Sequence, residues 1–129
     1  MATLTSVRPT STAQAAALEQ AVQCAQIADQ HKARDILVLD MRGLTSLYDY
    51  FVIATTVGRR QMHALADEMD DVLRATGEER LGIEGYEACR WLVQDYGAVV
   101  VHLFDAVSRS FYSLEDLWAD APRLDWQRR

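Results

Sequence analysis

The sequence predicts an α/β domain with a single mixed β-sheet and packed helices. Strand-length apolar runs and helical periodicities follow the order helix, strand, strand, helix, strand, hairpin, short helix. The run Tyr50–Thr56 is continuously apolar, as in a central strand that is covered on both faces. Two further apolar runs, Trp91–Asp95 and Ala98–Phe104, flank Tyr96-Gly97 and predict a tight antiparallel hairpin.

The first part of the chain is predicted to hold a tail, a helix and a strand. Residues 1–11 are polar and are predicted to form a flexible tail. An apolar stripe at helical spacing predicts a helix from about Ala13 to Lys32, capped by Ser11 or Thr12. The run Asp35–Asp40 is apolar between charged ends, which predicts a buried strand.

A second helix is predicted from Gly58–Arg60 to about Thr76, because apolar residues recur at i, i+3, i+4 and i+7. Gly77 is expected to end this helix in the left-handed conformation. The outer face carries four acidic residues and is predicted to be solvated. These residues are Asp67, Glu68, Asp70 and Asp71.

The main functional question is which faces of the predicted hairpin are covered. A short strand, Arg80–Ile83, is predicted to precede it. If Tyr96 and Gly97 are the two loop residues, Asp95 pairs with Ala98 and Trp91 faces His102. Alternation along the strands then gives two faces that are both mostly apolar. Either helices cover both faces, or one face is reserved for a partner.

The C-terminal region is predicted to contain little regular structure. Asp105–Arg109 is interpreted as a turn, and Phe111-Tyr112 as a brief extended piece. Ser113–Asp116 has the form of a capping box and predicts a short helix that ends before Pro122. The single domain is therefore placed at residues 12–121, with residues 122–129 as a loose C-terminal tail.

The charge of the chain constrains its partners. The 129 residues carry a formal net charge of −6, with a sequence pI near 4.9. An acidic domain repels phosphate backbones, which argues against direct nucleic-acid binding. A basic protein would be attracted instead.

The cysteines and the hydropathy pattern predict a cytoplasmic protein. Cys24 and Cys89 belong to no C-x-x-C or Cys/His cluster, so no metal site is expected and both are interpreted as small buried hydrophobic residues. Such use of cysteine fits a reducing compartment. There is no apolar stretch of about 20 residues and no signal-peptide pattern at the start of the sequence.

No pattern predicts an enzyme or a cofactor. Phosphate-binding loops of the GxxxxGK[ST] and GxGxxG types are missing from the sequence. Asp40 and Asp49 could hold a metal, but they are more typical of a strand end and a turn. His102 could act as a general base but has no nucleophile placed nearby by the sequence, and is expected to stack with Trp91 across the strand pair.

Trp91 has two interpretations that the sequence leaves open. It is either a core tryptophan or an exposed anchor on a sheet face. Trp and Tyr dominate interface hot spots because they bury a large area with few rotamers to freeze. Tyr86 and Tyr96 lie close by in the sequence and could share the same surface.

Four segments together resemble the ribosomal silencing factor family (RsfS, also called Iojap). The segments are DILVLDMRGLTSLYDYFVIATT, RRQMHALADEM, GIEGYEACRWLVQDYGAVVVHLFD and RSFYSLEDLW, in family order from about Ala33 to Ala121. Two positions depart from the family pattern. Gly58 replaces a common Ser, and Ala98 stands where an acidic residue or Ser is common.

The resemblance implies a fold, a partner and a mechanism. It implies a nucleotidyltransferase-like fold without the catalytic carboxylates, and binding to the large ribosomal subunit through ribosomal protein L-fourteen. The bound factor would block joining of the small subunit and repress translation when nutrients are scarce. The resemblance also implies homodimers for some members. It places the docking residues at Trp91, Asp95, Tyr96 and His102, with Arg90 at the margin; Tyr86 is added from its position in the sequence.

Overall fold

The computed structural model describes residues 12–129. The predictions for the tail 1–11 and for a cap at Ser11 lie outside this range. Four α-helices, five β-strands and a 3-10 turn are described, in the following order. They are α1 (Thr12–Gln30), β1 (Arg34–Asp40), β2 (Tyr50–Thr55), α2 (Gly58–Ala75), β3 (Gly82–Glu84), β4 (Trp91–Asp95), β5 (Val99–Phe104), α3 (Ala106–Tyr112), α4 (Leu114–Leu117) and the 3-10 turn Trp126–Arg128.

The five strands form one mixed sheet in the order β1-β2-β5-β4-β3. The central pair β2 and β5 is parallel, and all other neighbours are antiparallel. Every residue of β2 and of β5 is buried, which confirms that Tyr50–Thr55 is an interior strand covered on both faces. The predicted class, a single mixed sheet with packed helices, is therefore confirmed.

Each face of the sheet has its own core. The inner face packs against α1 and α2, with Leu92, Val101 and Leu103 fully buried there beside Leu65 and Met69 of α2. The outer face packs against short C-terminal segments through a second cluster of buried apolar residues. Its buried members are Leu39, Met41, Phe51, Ile53, Val100, Phe104, Leu114 and Ala121.

The hairpin forms as predicted, but its register is wrong by two residues. Asp95 pairs with Val100 and Trp91 pairs with Phe104. The two loop residues are Gly97 and Ala98, because Tyr96 N–H already donates to Val99 O at 2.9 Å. Gly97 has φ +86, and a left-handed glycine in the first loop position is typical of primed turns. A shift of two residues leaves every side chain on its predicted face.

The C-terminal region is more regular than predicted. Residues 106–112 form α3, and Asp105 caps it by accepting a hydrogen bond from Ser108 N–H at 2.7 Å. The predicted turn and extended piece are therefore wrong. The predicted capping box at Ser113 is wrong as well. Ser113 adopts φ 45 and makes no side-chain cap bond to α4, since its hydroxyl donates to Ser110 O.

The segment predicted to be a loose tail instead lines the edge of β1. Asp40 N–H donates to Pro122 O and Leu124 N–H donates to Val38 O, each at 2.8 Å. The indole of Trp126 packs on the inner core and donates to Ile36 O at 3.4 Å. These bonds pair the backbone groups of an edge strand that would otherwise be open.

One prediction for helix α2 is also wrong. Asp70, predicted to lie on a solvated face, is only 5% exposed. Its carboxylate accepts hydrogen bonds from Tyr96 Oη at 2.8 Å and from Arg74, and Arg80 lies nearby. The predicted end of the helix is confirmed, with Gly77 at φ +96. Among the described helices, none has the length and apolar character needed to cross a membrane.

Candidate docking surface on the outer sheet face

The outer face is incompletely covered at β4. Residues along this strand alternate between buried and half-buried. Leu92 and Gln94 point to the inner core and are fully buried, whereas Trp91, Val93 and Asp95 point outward and are half-buried. The structure therefore combines the two alternatives left open by the sequence: helices α1 and α2 cover one face, and part of the other face is left open.

Trp91 is both a core residue and a surface residue. Its ring stacks on Phe104 at a centroid distance of 5.0 Å and lies 4.7 Å from the ring of Tyr112. Its Nε1 donates to Nδ1 of His102 at 3.1 Å. These contacts fix the orientation of the indole, and its remaining surface lines a cleft.

This cleft, which we call the indole cleft, has a volume of about 560 Å³. Its residues include Gly85, Trp91, Val107, Phe111 and Tyr112. Val107 and Phe111 are each 79% exposed, and Tyr112 is 49% exposed. Three large apolar side chains of one short helix thus stand beside the indole in open solvent. Contiguous exposed apolar surface of this kind is typical of an interaction site.

Gly85 sets the position of Trp91 through close backbone contact. A Cβ atom on Gly85 would lie 2.0 Å from the carbonyl oxygen of Trp91, and the residue has φ +78. Only glycine allows the β3–β4 connection to approach the start of β4 so closely. Arg90, at the end of that connection, is exposed and accepts a hydrogen bond from Asp105 N–H through its backbone oxygen, which joins it to the start of α3.

A second, smaller cleft lies on the same face and shares Glu84 and Val93 with the first. We call it the histidine cleft. Its volume is about 270 Å³, and its lining includes Tyr48, Phe51, Val93, Asp95 and His102. Asp95 also accepts a hydrogen bond from Gly97 N–H at 2.8 Å, which fixes the carboxylate beside the hairpin loop. The two clefts follow one another along β4.

His102 is buried between these aromatic side chains. It is 6% exposed, and its ring meets Phe51 edge to face at 4.7 Å. Burial lowers the pKa of His102 to about 4, since a charged imidazolium would lose its hydration there. The predicted contact with Trp91 is present, but as a hydrogen bond with tilted rings 6.0 Å apart rather than as a stack.

Two of the residues named from the sequence lie away from this surface. Tyr96 is 5% exposed and belongs to the inner core, where its hydroxyl donates to Asp70. Burial and the neighbouring carboxylate raise the pKa of this phenol well above its usual value. Tyr86 packs on the inner side too, stacked on His63 of α2 at 3.9 Å and bonded to Asp67. The two tyrosines therefore do not share a surface with Trp91.

Sequence reasoning missed the contribution of α3. Val107 and Phe111 are four residues apart, which is the spacing of one helix face, and Asp105 is a favoured cap residue. These signals were present but covered only seven residues. A short apolar helix with its side chains in solvent cannot be told from a turn by periodicity alone.

The described residues form no cluster of metal ligands, and both thiols are buried. Within residues 12–129, no three His, Cys, Asp or Glu side chains come together as metal ligands. Both cysteines are free and buried, which confirms their prediction as small buried residues. Burial raises the pKa of the Cys24 thiol to about 12. Asp40, one of the carboxylates considered for a metal, bonds Arg42.

Comparisons with known proteins agree on one family. Residues 14–129 match the model of the family described as "Ribosomal silencing factor during starvation". The ribosomal silencing factor RsfS of Bacillus subtilis is 42% identical over 97 residues, covering 75% of this chain and 82% of that protein. A crystal structure of a Chromobacterium violaceum protein superposes with a TM-score of 0.72 at 34% identity, covering 81% of this chain and 84% of that one.

A mammalian organelle protein is also similar. The mouse protein named "Mitochondrial assembly of ribosomal large subunit protein 1" is 36% identical over 92 residues, covering 69% of this chain and 40% of that protein.

Proposed function

The chain belongs to the ribosomal silencing factor family, and from this premise we propose that it binds the large ribosomal subunit and keeps the small subunit from joining. The proposed contact is ribosomal protein L-fourteen, and the proposed consequence is repression of translation under nutrient limitation in the cytoplasm. The name of the mouse relative, which refers to the large ribosomal subunit, agrees with this choice of partner.

One observation carries the proposal: Trp91 is held rigidly at the edge of an open apolar cleft. The indole is fixed by Phe104, Tyr112 and His102, so little side-chain entropy remains to be lost on binding. Val107 and Phe111 extend the apolar surface around it. A preorganised tryptophan surrounded by apolar contacts has the properties of an interface hot spot.

Charge directs the same surface toward a basic protein. The chain carries a net charge of −6, and Glu84 and Asp95 lie at the two clefts. Electrostatic attraction raises the rate of association with a cationic partner, while buried apolar contact sets the rate of dissociation. Blocking subunit joining then needs only a bound volume between the subunits and slow release, with no catalysis and no cofactor.

The test is co-sedimentation with isolated large subunits, together with a subunit-joining assay. We expect Trp91→Ala to weaken binding by more than about 2 kcal/mol and to restore joining. Trp126→Ala is the matched control, because that indole packs on the inner core, away from both clefts. Normal joining with saturating wild-type protein would refute the proposal.

Two alternatives to this function have tests of their own. The apolar surface could instead hold a second copy of the chain, and an unmixed monomer at micromolar concentration would count against that homodimer. A nucleotide-binding activity on a nucleotidyltransferase-like fold is the other alternative. Failure to bind nucleotide in the presence of magnesium would remove it. Among the described residues, no observation favours either alternative over docking to a basic protein.

A further inference from the structure

Cys89 and His63 form a side-chain pair outside the lining of both clefts. Cys89 lies in the connection between β3 and β4, and His63 lies on α2. Sγ of Cys89 is 3.1 Å from Nε2 of His63. The same Nε2 is 2.6 Å from the backbone oxygen of Tyr86, which can only accept, so Nε2 carries a ring hydrogen. The sulfur of Cys89 therefore faces an N–H donor.

Tyr86 holds this donor in place. Its ring stacks on the imidazole of His63 at 3.9 Å with 5° between the planes, and its hydroxyl donates to the carboxylate of Asp67 on the same helix. The thiol of Cys89 donates to the Tyr86 backbone oxygen at 3.2 Å. When the thiol loses this proton, the sulfur can accept from Nε2–H, so a donor for the anion is already in position. A sulfur beside a histidine donor is typical of cysteines that are sensitive to oxidation.

The other cysteine of the chain provides a comparison. Cys24 is 0% exposed within α1, and burial raises the pKa of its thiol to about 12. Cys89 is 8% exposed and lies between the exposed residues Ala88 and Arg90. It also has φ +57, which is unfavourable for a residue with a Cβ atom. Because connections open locally at a lower free energy than packed helices, small solutes reach the thiol of Cys89 more readily than that of Cys24.

We infer that Cys89 is a site of oxidation by hydrogen peroxide, with His63 as the donor to the reacting sulfur and then to the oxygen added to it. The thiolate sulfur attacks one peroxide oxygen, so an S–O bond forms as the O–O bond breaks. The sulfur is oxidised to a sulfenic acid and the peroxide is reduced. Its other oxygen leaves as hydroxide, which takes up the proton released by the thiol and becomes water. Narrow access to the sulfur favours a small oxidant over a bulky disulfide reagent.

Oxidation of Cys89 is expected to affect Trp91 through the backbone. Residues 85–90 lead directly into β4, and Gly85 lies so close to Trp91 that there is no room for a Cβ atom. Cys89 N–H donates to Gly85 O at 3.1 Å, which ties the two ends of this connection together. An oxygen added to the buried sulfur displaces the connection, so oxidised protein should bind large subunits more weakly. This consequence, unlike the oxidation itself, rests on the proposed function.

Peroxide treatment of the folded protein tests the inference. The product is labelled with excess dimedone after unfolding in urea, so that burial does not hinder the labelling of a sulfenic acid. Mass spectrometry of peptides then locates the label. We expect Cys89 to be oxidised about tenfold or more faster than Cys24. Equal labelling of both cysteines, or labelling of neither under conditions that oxidise a free cysteine peptide, would overturn the inference.

A variant of His63 tests the role of the donor. His63→Phe keeps a ring stacked on Tyr86 but removes the N–H, and we expect oxidation of Cys89 to slow about threefold or more. His31→Phe is the matched control, because it removes an imidazole that is bonded to Glu68 instead, and it should leave the rate unchanged. An equal rate in His63→Phe would refute the role of His63. If that variant fails to fold, the comparison of the two cysteines in the wild-type protein still decides the site.

Co-sedimentation of reduced and oxidised protein with large subunits tests the consequence for docking. If Cys89 is oxidised and both forms bind equally, the effect on Trp91 is wrong while the oxidation site stands. If the reduced protein does not bind large subunits, the proposed function is overturned and the oxidation site again stands. Weaker binding by the oxidised form alone, restored by a thiol reductant, would support both.

Discussion

The two faces of the β4–β5 hairpin are formed by alternating residues of the same two strands but have different properties. On the inner face, the side chains of Leu92, Gln94 and Val101 are fully buried under two long helices. On the outer face, Trp91 and Val93 are half-buried, and Nε2 of His102 has no hydrogen-bond partner among residues 12–129. Packing and hydrogen bonding are complete on one side and incomplete on the other. The inner face stabilises the fold, and the incomplete outer face supports the proposal that a partner binds there.

Polar groups show the contrast most clearly. The inner network of Tyr96, Asp70, Arg74 and Gln94 links α2 to the hairpin through bonds between protein groups. Hydrogen bonds to Asp70 outweigh the effect of burial, so the pKa of its carboxyl lies below the usual value. Such a network adds rigidity when each of its polar groups has a hydrogen-bond partner. Variants on the two faces should therefore separate stability from binding.

The largest effect is expected from Leu92→Ala on the inner face. Leu92 is fully buried, and removing its side chain leaves a cavity, so the free energy of unfolding should fall by about 3 kcal/mol. Urea-induced unfolding measures this change. A loss below about 1 kcal/mol would mean that the inner core is less tightly packed than described.

Acidification should weaken the fold through His102. The unfolded imidazole titrates near 6.5 and the folded one near 4, so the unfolded state binds more protons between these values. Stability from this group is present above pH 6.5 and is lost as the pH falls toward 4, by about 3 kcal/mol in total. Unfolding experiments at several pH values measure the slope, which His102→Phe should reduce. An equal slope in the variant would assign the pH dependence to other groups.

Tyr96→Phe should affect stability alone. It removes the hydroxyl that donates to Asp70, and the expected loss is about 1 kcal/mol in the free energy of unfolding. Because Tyr96 lies under α2, binding to large subunits should be unchanged. Reduced binding by a stably folded Tyr96→Phe protein would mean that Tyr96 belongs to the docking surface, as the resemblance implies.

Phe111→Ala should weaken binding with almost no loss of stability. The side chain is 79% exposed, so the free energy of unfolding should change by less than about 0.5 kcal/mol. Co-sedimentation with large subunits should nevertheless weaken, because Phe111 lines the indole cleft. Val57→Ala, at a similarly exposed apolar position, serves as the control. Equal binding by both variants would remove α3 from the proposed surface.

Elements with long and strong sequence patterns were predicted correctly, and those with short or weak patterns were not. The long helices, the interior strand Tyr50–Thr55 and the hairpin were predicted because periodicity over many residues leaves few alternatives. Asp70 was misplaced because one residue in an acidic run can be buried if partners from other elements reach it. The segment after Pro122 was misjudged for a related reason, since its bonds are made to β1, more than 80 residues away.

The amino-acid sequence by itself determined the class of the fold, the two apolar faces of the hairpin and the family resemblance. These follow from local periodicity, from alternation along strands and from motifs that can be read along the chain. Only the tertiary structure decided which face is covered, why Tyr96 is buried while Trp91 is half-buried, and that Nε2 of His102 has no partner within the described part of the chain. Those properties depend on contacts between segments far apart in sequence, and a side chain's exposure is set by what packs over it rather than by its own chemistry.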